Sequence, residues 1–270
     1  MPIKPRPADD EDQTPQTPES PTGKLDSHLE FAKWLAIIAM VIDHVGYLFP
    51  DKVDYTTWRS IGRLCWPLIA WVVAMRLYVA PDRTARYLKR LLPWALVAQV
   101  PYTAIFLEFR NLPWWDAFNI FITIGFGCTI FLLLEMWDRV STAKKAGIVA
   151  ATIFIVVISR FVDYGPVGAV TIPVLAILAR QNIMYAAIGA GIMGALANVL
   201  ILVGDDILAK YWVLGVAPLL ASLIAVLCLR VELPMPRLPG WFFYLFYPLH
   251  LLVLLMVFLA VHVNMQGVTP

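Results

Sequence analysis

Apolar residues occur in long blocks separated by short polar stretches, rather than at the alternating or three-and-four spacing of a soluble half-buried element. The blocks run over residues 31–49, 61–79, 88–109, 117–137, 146–162, 165–178, 183–203, 211–229 and 241–263. A membrane-crossing helix needs about 20 mostly apolar residues, so the pattern predicts an all-α polytopic membrane protein, a bundle of about nine transmembrane helices. The pair 146–162 and 165–178 is short and broken at Asp163-Tyr-Gly-Pro166, a turn sequence, which leaves open whether both segments cross fully. Pro93 and Pro101 in the third block predict kinks. Gly191, Gly194, Ala187 and Ala195 predict a closely packed seventh helix.

Composition sharpens the picture. The chain has 270 residues and is 60% hydrophobic, outside the range of soluble domains. Residues 1–30 are rich in Pro, Asp, Glu, Ser and Thr and read as a disordered cytoplasmic tail, 31–263 as the membrane domain and 264–270 as a short C-terminal tail. The net charge of +2 gives no reason to expect nucleic acid as a partner. Cys65, Cys128 and Cys228 show no ligand spacing, so no metal site is expected. Most Lys and Arg fall on one side if the amino terminus is inside, which predicts a cytoplasmic N-terminus.

The first block carries the candidate chemistry. Lys33, Asp43 and His44 lie in it, and ionisable groups at membrane depth cost enough that they mark function. Lys33 and His44 are eleven positions apart, nearly on one face and about 16 Å apart along a helix. The predicted topology brings Asp43, His44, Arg63, Asn119, Thr123, Asp163 and Tyr164 to one depth near the outer face, with Gln99, Tyr247 and His250 nearer the middle. Arg83, Arg86, Lys89 and Arg90 form a basic stretch on the inner side, suited either to lipid or to a phosphorylated ligand. For His44 the alternative is a structural histidine bonded to a carbonyl, and for Asp43 and Arg63 a helix-to-helix ion pair.

Seven short segments in order resemble the TraX family: Leu35 to Gly46 with its Asp-His pair, Arg59-Ser-Ile-Gly-Arg63 before Trp66-Pro67, Arg86 to Leu91, Gln99-Val-Pro-Tyr102, Asn119 to Thr123, Asp163-Tyr-Gly165 and Tyr247-Pro-Leu-His250. The chain differs from that pattern at Ala74-Met-Arg-Leu77, where an acidic residue and a glycine are expected. The resemblance implies N-acetylation of pilin for the founding member. The Lys33 to His44 spacing also resembles transmembrane acyltransferases that modify surface sugars, in which the histidine is catalytic and acyl-CoA comes from the cytoplasm.

On that resemblance, the membrane is a bacterial inner membrane, acetyl-CoA is the co-substrate and a pilin or glycan amine or hydroxyl at the outer face is the acceptor. His44 is expected as the base, with Asp43, Arg63 and Asn119 completing the catalytic set. Lys33, Arg83, Arg86, Lys89 and Arg90 would hold the cofactor, and Gln99, Thr123, Asp163, Tyr164, Tyr247 and His250 would support the site. This reading requires a cavity leading from His44 toward the basic stretch. A proton-coupled transporter using the same buried charges, or a non-catalytic membrane subunit, are the competing classes.

Overall fold

The computed structural model describes residues 21–110, 118–202, 212–231 and 235–266. Regular structure among them is helical, apart from one isolated bridge between Phe118 and Val162. The helices are α1 (Pro21–Leu48), α2 (Tyr55–Gly62), α3 (Cys65–Val79), α4 (Thr84–Arg110), α5 (Ile120–Glu135), α6 (Thr142–Ile158), α7 (Gly165–Gln181), α8 (Ile183–Leu202), α9 (Trp212–Val216), α10 (Leu220–Arg230) and α11 (Phe242–Gln266).

Among the described residues, seven helical stretches are long and apolar enough to cross a membrane, with α2 and α3 acting as one of them and the run from Val213 to Arg230 as another. Two of the expected spans differ in character. α7 is a shorter apolar helix, and α4 is long but is not among the seven; it carries a basic first turn and the two internal prolines. The protein is thus a multi-pass helical membrane protein.

α1 and α11 run side by side in the same direction, since Trp34 meets Phe242, His44 meets His250 and Phe49 meets Phe258.

One boundary differs from the expected tail. α1 begins at Pro21, because Leu29 is wholly buried, Glu30 pairs with Lys33, and Asp26 pairs with Arg76 of α3. Those contacts hold residues 21–30 in the helix that the polar composition obscured. The rest of the expected tail, 1–20, lies outside the described residues, as do 267–270; α11 takes in 264–266.

Small residues set the central packing. Ala186, Ala187 and Ala190 of α8 are fully buried, the Gly191 N–H donates to Ser222 Oγ at 3.2 Å, and the Ser222 hydroxyl donates to the Ile188 carbonyl at 2.5 Å. With no hydrophobic drive between helices in lipid, such close contact and interhelical hydrogen bonding hold α8 to α10. α6 is peripheral, and its Val149, Ile153, Phe154 and Val157 remain exposed, as a lipid-facing surface requires.

Candidate active site

The C-terminal part of α1 delivers Asp43 and His44, and the short α2 crosses it closely enough that a Cβ on Gly62 would stand 2.3 Å from the Asp43 Cβ and Oδ1. Only glycine fits there. This approach lets Arg59 donate to Asp43 Oδ2 at 2.7 Å and to the Asp43 carbonyl at 3.2 Å, with both side chains buried. The Arg59 guanidinium also lies 5.3 Å above the Tyr47 ring. Asp43 is therefore neutralised by Arg59, and the alternative pairing with Arg63 is not formed. Arg59 and Arg63 are four positions apart, so they leave α2 on one face, and the nearer one takes the carboxylate.

A second group of contacts anchors the start of α5 and α7. The Asn119 Oδ1 accepts from the Phe121 N–H at 3.0 Å, while its Nδ2 donates to the Ala95 carbonyl at 2.8 Å and to Gln99 Oε1 at 2.7 Å. Its amide donors and acceptor are thus committed to capping α5 and joining it to α4. Phe118 N–H donates to the Phe161 carbonyl and Asp163 N–H to the Phe118 carbonyl, a two-bond clasp between the segments that lead into α5 and α7.

Thr123 Oγ1 donates to the Asp163 carbonyl at 2.8 Å, and the Tyr102 hydroxyl donates to Asp163 Oδ1 at 2.6 Å. So fixed, the turn forces Tyr164 into the left-handed region at φ 62°, followed by Gly165 at 56°. A non-glycine residue there is strained and persists only where its surroundings over-determine it. The Tyr164 ring stacks on Trp66 at 4.9 Å and 15°. Burial pushes the Tyr164 phenol up, so it stays neutral.

These elements enclose a cavity of about 430 Å³, lined by Asp43, His44, Tyr47, Arg59, Arg63, Cys65, Tyr102, Arg160, Asp163, Tyr164 and Tyr247 among others. At its wall, His44 Nδ1 lies 3.1 Å from His250 Nε2, and His250 Nδ1 lies 3.1 Å from the Phe246 carbonyl. A carbonyl only accepts, so His250 Nδ1 carries the proton. In a neutral ring its Nε2 then accepts, and His44 must donate from Nδ1. The lone pair of His44 is left on Nε2.

Of the expected site residues, the structure brings Asp43, His44, Arg63, Asp163, Tyr164 and Tyr247 onto the cavity, with His250 directly behind His44. Asn119, Gln99 and Thr123 stand behind the lining as the hydrogen-bonded support of α5 and the Asp163 turn. The expected cofactor set is not brought there. Lys33 is buried against Glu30, whose other oxygen accepts from the Leu238 N–H at 3.0 Å, so it ties α1 to the segment before α11.

Arg83, Arg86, Lys89 and Arg90 are exposed and make no hydrogen bond or ion pair among the described residues. Between them and the cavity stand the rings of Tyr87, Trp94, Phe121, Tyr244 and Tyr247, with Phe121 and Tyr247 at 4.7 Å. None of the basic residues lines the described cavity, so the passage required from His44 to the basic stretch is not found there. The cavity instead reaches the exposed Arg160 and Pro166 at the other end of the bundle.

Arg59, Cys65, Tyr102 and Arg160 were missed as lining residues. For Arg59 the signal was available, namely its four-residue spacing from Arg63. Tyr102 depends on how α4 is turned toward α7 and Arg160 on the 3-10 turn after α6, which apolar blocks do not encode. Cys65 reads as a packing residue and is buried and free, yet it borders the cavity.

No solved structure matches this chain. An uncharacterised protein of Rickettsia prowazekii (strain Madrid E) is 31% identical over 107 residues, which is 39% of this chain and 37% of that protein. The chain thus spans little more than a third of that relative. The TraX protein family matches residues 28–258, a range that contains α1 from His28, the cavity and the His44 to His250 contact, and the chain belongs to the TraX family.

Proposed function

We propose that the protein is a membrane acyltransferase in which His44 removes the proton from an amine or hydroxyl acceptor as that atom bonds to the acetyl carbon of acetyl-CoA. The C–S bond breaks, and the departing CoA thiolate takes the proton back from His44 and leaves as the thiol. The observation that carries this reading is the Phe246 carbonyl–His250–His44 chain, which holds His44 in the tautomer whose Nε2 has a lone pair, on the wall of a polar cavity. A general base needs that lone pair within reach of the acceptor, and an imidazole supplies it near neutral pH. The Tyr164 hydroxyl, on the cavity wall, is a donor suited to holding the oxygen that gains charge as the acceptor attacks the thioester carbonyl. Asp43 acts through Arg59 to fix α2 rather than as a reacting group.

The donor's route differs from the one the sequence suggested. For the phosphates of acetyl-CoA to rest on Arg83 to Arg90 while its thioester reaches His44, the seam of Tyr87, Trp94, Phe121 and Tyr244 has to part. The orientation that puts the basic stretch in the cytoplasm and the open cavity outside belongs to this reading, as do the bacterial inner membrane and a pilin or glycan acceptor. The test is incubation of the purified protein with labelled acetyl-CoA and a panel of amines and sugars. His44-dependent transfer supports the reading, and wild-type turnover in His44→Ala ends it.

One observation favours a second reading. A cavity open at one end and sealed by rings at the other is also the geometry of an alternating-access transporter, with the two histidines as its proton carriers. Proton-coupled solute flux in liposomes without any acetyl-CoA requirement would select it.

A further inference from the structure

We infer that the cavity binds an anionic group, a carboxylate or phosphate carried by the acceptor, with Arg63 as its principal ligand. The inference rests on the acyl-transfer reading only in naming the bound molecule as the acceptor. The charges lining the cavity do not cancel. Three guanidinium groups, Arg59, Arg63 and Arg160, face two carboxylates, Asp43 and Asp163.

Arg59 is committed to Asp43 at 2.7 Å. Asp163 is held through Oδ1 by Tyr102 and through its carbonyl by Thr123. Arg160 lies at the exposed mouth with its guanidinium 4.7 Å over the Phe161 ring. The Arg63 side chain makes no hydrogen bond or ion pair among the described residues, and its Nε is buried without a partner.

Arg63 is half-buried with its Nε shielded and unmatched, and the planar fork of a guanidinium matches a carboxylate or phosphate with two parallel bonds. Arg63 lines the same cavity as His44 and Tyr164. An anion on Arg63 would therefore be anchored beside the proposed base. Its source is the acceptor because the cavity opens at the end away from Arg83 to Arg90, and the aromatic seam separates it from them.

The experiment uses the full chain in nanodiscs of neutral phosphatidylcholine and measures equilibrium binding of radiolabelled inorganic phosphate. Saturable binding is expected, weakened at least about tenfold in Arg63→Gln, the loss of one charged hydrogen bond. Arg86→Gln should bind like wild type, and coenzyme A should not displace the phosphate. Protection of Arg63 from phenylglyoxal by phosphate, read by mass spectrometry on the unmodified chain, gives the same answer if Arg63→Gln does not fold.

Unchanged binding in a folded Arg63→Gln, loss in Arg86→Gln instead, or displacement by coenzyme A overturns the inference; the last would give the anion to the donor. His44→Ala separates it from the catalytic reading, because that variant should keep phosphate binding while losing transfer. Arg63-dependent binding in a protein that transfers no acetyl group would leave the anion site standing and remove the reaction.

Discussion

The two ends of the bundle use charge in opposite ways. At the cavity end, Asp43, Arg59, His44, His250, Asp163 and Tyr102 are withdrawn from water and bonded to one another across helices that are far apart in sequence. At the other end, Arg83 stands in solvent just before α4, and Arg86, Lys89 and Arg90 on its first turns. The sequence makes the second group look denser, yet the assembled geometry belongs to the first. In a membrane protein the cost of burial, more than the number of charges, identifies groups that the fold has been built to hold.

Substitutions at the two ends test that contrast. The largest effect is expected at His44, where replacement by alanine should lower acyl transfer by about 10²–10⁴ in rate, measured with labelled acetyl-CoA, while thermal unfolding in detergent moves little. If the rate holds, the cavity end has lost its catalytic claim. Next, Asp43→Ala should destabilise the fold by about 3–5 kcal/mol, because it leaves the buried Arg59 uncompensated; a melting curve in detergent reads it directly.

Gly62→Ala should cost about 1–3 kcal/mol or more by pushing α2 off α1, and it should reduce transfer along with stability, since the same contact places Arg59 and Arg63. Smallest of all, Arg86→Gln and Lys89→Gln should shift stability by no more than about 0.5 kcal/mol. A larger loss from either would mean that the basic end is structural after all.

The helical membrane fold was legible because lipid leaves the backbone few options, and apolar length alone then reports it. Asp43, His44 and Arg63 stood out for the same reason, as charges where charge is expensive. What the sequence hid was partnership. Arg59 against Arg63 is decided by how closely α2 approaches at Gly62, and His250 beside His44 depends on α1 and α11 being parallel neighbours.

Asn119 shows the same limit, as its type suits a hydrogen-bond donor to substrate, but the position of α4 takes up both amide hydrogens. The aromatic seam was invisible for a related reason. Tyr87, Trp94, Phe121 and Tyr244 come from three helices, and each reads alone as an ordinary lipid-zone aromatic.

Because the two imidazoles are supplied by the first and the final helix, the pair does not exist on a nascent chain until synthesis has passed residue 250 and that last segment has entered the bilayer. A ribosome-bound or prematurely stopped product would carry His44 without the neighbour that fixes its proton. Whatever chemistry the pair supports would thus wait for the two helices to stand side by side.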